Sequence, residues 1–229
     1  NTGWVSVKQG TGSNFSLGTL FRTEDGGQTW QRLALPLGEP VHFVNSRVGW
    51  LAGGPAGDQL YKTRDAGNTW EEQPLPVGMA GGQVHSLYPP VIESTGDGLL
   101  AFVTRNGDAF QLEFYSTDDA GQSWMPVSSL PLGSRVGWLP LSLLDARNFM
   151  LTVPAGDRVI RMVNGRVQAL TNQDGMSAAI VELKMFTSSL GWAKWQVASC
   201  SKQAAADGST GISCNSTTKL IETKDGGVT

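Results

Sequence analysis

Residues able to do chemistry recur in this chain at matching places, and the recurrence bears on what they can do. Asp25, Asp65, Asp119 and Asp225 each follow a threonine by two positions and precede a glycine by two. A free carboxylate can act as a general acid or base. Thr and Asp beside a glycine are better matched to a turn, in which their oxygens accept bonds from the turn's own N–H groups. His42 and His85 stand in the matching stretches VHF and VHS, which reads as repeat ancestry rather than metal ligation. No His or Cys spacing resembles a zinc site. No glycine-rich stretch matches a phosphate loop, and nothing resembles Gly-x-Ser-x-Gly. We therefore expect no catalytic, cofactor-binding or metal-binding residue.

The four aspartates belong to four related segments: TEDGGQTW at 23–30, TRDAGNTW at 63–70, TDDAGQSW at 117–124 and TKDGGVT at 223–229. The shared pattern is Thr-x-Asp-x-Gly-x-(Thr/Ser)-Trp, hereafter a box. Its members are Thr23, Asp25, Gly27 and Trp30; Thr63, Asp65, Gly67 and Trp70; Thr117, Asp119, Gly121 and Trp124; and Thr223, Asp225 and Gly227. The glycine supplies a positive-φ position. The tryptophan opens the next strand and is expected to bury its ring between sheets. The interval from Thr117 to Thr223 is about twice the others, so one repeat has lost its box. Midway, Asn164-Gly165 lies between RVIRMV and RVQAL, a type I′ hairpin signal that replaces the box turn.

A second element precedes each box. VHFVNSRVGWLAGG (41–54) reads as a strand, a polar turn and a Gly-Trp that opens another strand, and NTGWVSV, LSLLDARNFMLTV and LKMFTSSLGWAKW follow suit. Trp4, Trp50 and Trp192 are expected in the core. In the third repeat, Pro89-Pro90 and a longer connection stand in place of Gly-Trp. Each unit is thus a four-stranded antiparallel meander of ~40–50 residues, the size of a propeller blade. The fold expected is an all-β β-propeller in one domain over 1–229, with repeats near 1–36, 37–78, 79–132, 133–172 and 173–229. Five repeats with unmatched ends suggest part of a ring of six to eight blades.

Composition agrees: 29 Gly, 11 Pro, 8 Trp and only 16% charged residues among 229 suit short strands and tight turns. The net charge of −3 and the scattered arginines argue against nucleic acid as a partner. No apolar run reaches the roughly 20 residues of a transmembrane helix. Without an initiator Met or signal peptide, the chain is expected to be a processed or excised segment. Cys200 and Cys214 bracket a small, polar, loop-like stretch and are expected to form a disulfide, which suits an extracytoplasmic protein. The alternative is two unrelated buried thiols.

The box resembles the Asp box of the BNR-repeat β-propellers. With the strand, turn and Gly-Trp ahead of it, the pattern is most similar to the photosystem II assembly/stability-factor-like bacterial branch. The resemblance implies a non-enzymatic binding or assembly scaffold whose partner is a protein or complex. The competing reading is a sialidase-like hydrolase or a carbohydrate-binding propeller. Sialidases use a Tyr nucleophile, but Tyr61 and Tyr115 lie just before boxes and leave only Tyr88, and the Arg-Ile-Pro signature is absent. Repeats differ most in their loops, where function tends to reside. The enlarged third repeat around Arg105 and Asn106, and the Cys200–Cys214 excursion carrying Lys202, are the expected partner surface; the alternative is surface insertions that the fold merely tolerates.

Overall fold

The computed structural model describes residues 1–10, 16–76, 82–134, 139–153, 158–171, 180–204 and 210–227. The chain divides into two compact units, 1–136 and 137–229. It is all-β: five antiparallel blades of three or four strands, of β-propeller type, with no helix among the described residues.

The first unit holds three blades. Blade 1 comprises β1 (Gly3–Gly10), β2 (Ser16–Thr23) and β3 (Gln31–Leu35); blade 2 comprises β4 (Val41–Phe43), β5 (Gly49–Gly53), β6 (Gln59–Thr63) and β7 (Glu71–Gln73). Blade 3 comprises β8 (Gln83–Ile92), β9 (Gly98–Asn106), β10 (Ala109–Thr117) and β11 (Met125–Gly133). In the second unit, blade 4 is β12 (Leu141–Asp145), β13 (Asn148–Val153), β14 (Arg158–Val163) and β15 (Arg166–Thr171). Blade 5 is β16 (Ile180–Met185), β17 (Gly191–Ala204) and β18 (Thr210–Thr223). Within each blade, consecutive strands pair as an up-and-down meander.

Blades pack through their faces. Trp50, Ala52 and Leu60 of blade 2 bury against Val84, Leu87, Leu100, Phe102 and Tyr115 of blade 3. β9 is buried on both faces over its first seven residues, which is why GLLAFVT does not alternate. Trp4 of blade 1 stacks on Phe43 of blade 2 at 3.9 Å. In the second unit, Met150 and Val159 of blade 4 meet Met185 of blade 5.

Three expectations need correction. Pro89-Pro90 does not replace Gly-Trp; both prolines lie inside β8, where the register shifts between Tyr88 and Val91. A bulge accommodates residues that cannot donate to the ladder. The counterpart of Gly49-Trp50 is Gly98-Leu99, at the start of β9. The glycine is needed because a Cβ at Gly49 would lie 2.8 Å from the Phe43 ring, and one at Gly98 would lie 2.6 Å from the Val91 carbonyl.

His42 and His85 are likewise not equivalent. His42 pairs with Trp50, near the start of its neighbouring strand. His85 sits at a second β8 bulge between Val84, opposite Thr104, and Ser86, opposite Val103, with its ring 5.1 Å from Phe110. The longer, twice-bulged strand breaks the local match.

The third correction concerns the tryptophans. Trp50 is fully buried, but Trp192 is 37% exposed and Trp30 is 45% exposed. Trp30 lies over its own box glycine and donates from Nε1 to the Gly27 carbonyl at 3.0 Å. Trp70 and Trp124 are half-buried, meeting Phe43 and Trp50 edge-on at 6.3 Å.

Candidate partner-binding hairpins

The boxes are closed hydrogen-bond circuits. In the second, the Thr63 hydroxyl donates to Asp65 Oδ1 at 2.8 Å and accepts from the N–H groups of Gly67 (2.9 Å) and Asp65 (3.3 Å). Asp65 also accepts from the Thr69 amide at 2.9 Å and hydroxyl at 2.7 Å. Asp25 and Asp119 are held the same way by Thr23, Gln28 and Thr29, and by Thr117, Gln122 and Ser123. In the fourth box, Thr223 donates to Asp225 at 2.9 Å and accepts from Gly227 at 2.7 Å.

These bonds stabilise the charged carboxylate. The Thr29 hydroxyl, the Thr29 amide and then Thr23 hold Asp25 well below the usual carboxylate range. Ser123 and then Thr117 do the same for Asp119. At Asp65 burial pushes upward, but the bonds from Thr69 and Thr63 outweigh it and the net shift is downward. Carboxylates so committed cannot take a proton near neutral pH, so they are unsuited to acid–base work.

The fourth position of each box ties the blade together. Its N–H donates to the segment just ahead of the Gly-Trp-type strand, which in blades 2, 3 and 5 is the turn between the first two strands: Gly26 to Asn1, Ala66 to Arg47, Ala120 to Gly96 and Gly226 to Ser189, at 2.8–3.0 Å. Blade 4 keeps this bond without a box, since Gly165 donates to Arg147 at 3.0 Å. Asn164 and Gly165 both have positive φ, 52° and 77°, as a type I′ turn requires.

The carbonyl at the same position accepts from the preceding blade within each unit. Trp4 Nε1 donates to Ala66 at 3.3 Å, Lys62 Nζ to Ala120 at 2.6 Å, and Arg161 Nη1 to Gly226 at 3.1 Å. Lys62 is 2% exposed and lies 4.5 Å from the Trp50 ring centre. Burial, then the neighbouring Arg64 charge, pushes its ammonium down to about 8, against attraction from Asp119 and Glu71. Sequence reading missed these latches. For Lys62 the signal is a basic residue immediately before the box threonine, in LYKT; Trp4 and Arg161 do not stand before one.

The variable hairpins lie between the second and third strands of blades 3 and 5, at the end opposite each blade's box. β9 and β10 run for nine residues each, against five for β5 and β6. Arg105, at the tip, is exposed; its Nε donates to the Gly107 carbonyl at 2.8 Å and its guanidinium lies 5.7 Å from the Phe110 ring. Asn106 beside it is exposed. Beneath the hairpin, Thr104 and Tyr115 donate to Glu113 at 2.8 and 3.3 Å, all three buried. Burial, then the Glu113 charge, raises the Tyr115 phenol above its ordinary range. Tyr88 is also buried, 4% exposed in β8.

β17 and β18 form the longest hairpin, each 14 residues long. Cys200 and Cys214 are bonded directly across it, with Cα atoms 4.0 Å apart. Lys202 pairs with Ile212 in this ladder; its side chain lies outside the described residues.

Meandering blades and their joining turns define a β-propeller. A family model for the photosynthesis system II assembly factor YCF48 matches residues 11–137, and the chain belongs to that family. A solved structure titled "YCF48 bound to D1 peptide" is 17% identical, with a TM-score of 0.53, covering 98% of this chain and 82% of that one. A streptogramin B lyase is 10% identical with a TM-score of 0.40, covering 93% of this chain and 87% of its own. A selenomethionine-substituted virginiamycin B lyase from Staphylococcus aureus is also 10% identical, with a TM-score of 0.45 and coverages of 93% and 74%. A search of curated proteins gave no significant match.

Proposed function

We propose that this protein is a non-enzymatic assembly scaffold of the BNR type, working outside the cytoplasm and holding a segment of a partner protein. Membership of the YCF48 family carries the reading, and the YCF48 structure named for its D1 peptide supports a polypeptide as the ligand class. On this reading the five repeats make one domain and the boxes are Asp boxes that serve the fold. The partner meets the hairpins carrying Arg105, Asn106 and Lys202. The disulfide between Cys200 and Cys214 favours an oxidising compartment. Burial of Tyr88 weighs against a glycosidase that uses that phenol as nucleophile.

A photo-crosslinking residue at exposed Asn106 or Ser201, in the protein expressed with its native partners, tests the reading. The expected product is a protein adduct identified by mass spectrometry, at sites shielded when the partner is in excess. Replacing 201–213 by a short turn should weaken that complex. Unchanged binding would remove the blade 5 hairpin from the surface, and glycan adducts alone would overturn the scaffold reading.

A further inference from the structure

Blades 1 and 2 meet at their box ends through an aromatic stack, Trp4 on Phe43 at 3.9 Å. Phe43 pairs with Gly49, and the residue that pairs in the same way with Gly98 in blade 3 is Ile92. Trp50 takes the place of Trp4 one blade on. It meets Trp124 edge-on at 6.3 Å, and a Cβ at Gly121 would lie 2.8 Å from its Cζ2. With isoleucine for phenylalanine and the indole turned onto the third box, the space between these two blades stays open. It is a cleft of about 450 Å³ at the box end, with Val44, Val48, Trp50 and Ile92 among its walls. That volume suits a small ligand or an inserted side chain.

Charge is the first guide to the occupant. Glu93, Asp118 and Asp119 line the cleft and no basic side chain does. Asp97 stands beside it, accepting from the lining Thr95 at 2.9 Å. Lys62 lies beneath, committed to the Ala120 carbonyl, and Arg47 sits in the turn between β4 and β5, so four carboxylates face two cations. Arg64 and Glu71, which also act on Lys62, offset one another. Asp119 is tied to its own turn and contributes its charge. Asp118 is exposed and has no hydrogen-bond or ion-pair partner among the described residues. It holds the second position of its box, which elsewhere is Glu24, Arg64 or Lys224, so the turn does not require it.

The second guide is an orphaned donor. Trp4 gives its Nε1 to the Ala66 carbonyl, but Lys62 holds the corresponding carbonyl at Ala120. Trp50 is fully buried and its Nε1 has no hydrogen-bond partner, and a buried donor of this kind calls for an acceptor. No group of three or more side chains that could hold a metal ion occurs among the described residues, so an organic cation fits the carboxylates better than a metal. Apolar walls under a carboxylate rim suit a side chain whose methylenes lie on the walls while its charge meets the rim. Arginine matches best, because its planar, weakly hydrated guanidinium pairs with carboxylates through two N–H groups and packs on aromatic rings.

We propose that this cleft is a second docking point, which takes an arginine side chain from a segment of a partner protein. Asp118 receives the guanidinium, and a main-chain carbonyl of the segment accepts from Trp50 Nε1. The cleft lies at the opposite end of the blades from the Arg105 hairpin, and it rests on the scaffold reading only in taking a protein as the partner.

The probe is the synthetic peptide acetyl-Ala-Thr-Arg-Thr-Ala-amide, set against the same peptide with neutral citrulline for arginine, titrated into the isotope-labelled whole chain and followed by NMR. The arginine peptide should bind and shift the Trp50 indole N–H resonance, and citrulline should weaken it about tenfold. Asp118→Asn should weaken the arginine peptide about fivefold. Ile92→Phe refills the cleft with the side chain that blade 2 carries at Phe43, and should abolish binding. Equal binding of the two peptides, undiminished binding by Asp118→Asn, or binding that leaves the Trp50 resonance unmoved overturns the proposal. So does self-association that Ile92→Phe abolishes, which would make a second copy the occupant. If the peptide fails to bind while the Asn106 crosslink to a protein forms, the cleft is refuted and the scaffold stands; glycan adducts alone at Asn106 remove the scaffold whatever the peptide does.

Discussion

Replacing Thr63 by Val keeps the side chain's shape and removes only the oxygen around which its box closes. Thr63 is 1% exposed, so water cannot take over its bonds. The change leaves the buried Gly67 amide without its 2.9 Å acceptor, at a cost of about 1–3 kcal/mol. It also removes the hydroxyl that donates to Asp65, so about 2–3 kcal/mol is expected in all. Thr63→Ser keeps both bonds and loses one buried methyl, about 0.8 kcal/mol. Thr223 makes the same bonds but is only half-buried, so solvent compensates and Thr223→Val should cost under about 1 kcal/mol. Urea unfolding followed by tryptophan fluorescence reads the order, since Trp50 and Trp70 lie in the same blade as Thr63. With a urea slope of about 2 kcal/mol/M, Thr63→Val should lower the midpoint by about 1 M at unchanged slope. A loss below about 0.5 kcal/mol, or equal losses at Thr63 and Thr223, would refute the view that burial makes the box structural.

Acid should destabilise the fold through the boxes. Asp25, Asp65 and Asp119 are held below the ordinary carboxylate range in the fold, so their stabilisation is present above the unfolded pKa and is lost as pH falls through the folded values. Circular dichroism below pH ~4 should show it, with Asp119→Asn reducing the slope. Lys62 predicts the opposite limb. Its ammonium is disfavoured in the fold, about 8 against 10.5 unfolded, so between those values the unfolded chain binds more protons and stability rises with pH. Urea midpoints from pH 8 to 10 should climb, and Lys62→Met should flatten the climb. Reducing Cys200–Cys214 removes the crosslink between rungs 200 and 214. Hydrogen exchange should then quicken in the two-stranded part of β17–β18, while Gly191–Trp195, paired with β16, keeps its protection.

Much of the architecture was legible because a box is a local device. Thr, Asp and Gly within five residues specify a turn through bonds to their own backbone, and the hydrogen-bond lists of three boxes are nearly interchangeable. Asn164-Gly165 was legible for the same reason. The Cys200–Cys214 bond followed from spacing around a loop-like stretch. The histidines misled because three matching letters carry no register: two bulges in β8 moved His85 away from the position of His42. The two prolines misled because the gap in the Gly-Trp pattern was assigned to them, whereas Gly98 preserves the tight start of the second strand and Leu99 replaces the tryptophan.

The sequence by itself therefore determined strand order, turn positions and the commitment of the box carboxylates, all of which depend on contacts within a few residues. Tertiary structure alone decided which tryptophans are core, since Trp50 has blade 3 packed against it while Trp30 lies over its own turn. It decided that Lys62 reaches a carbonyl 58 positions away. Burial and latching depend on what a neighbouring sheet brings against a strand, and that neighbour is remote in sequence.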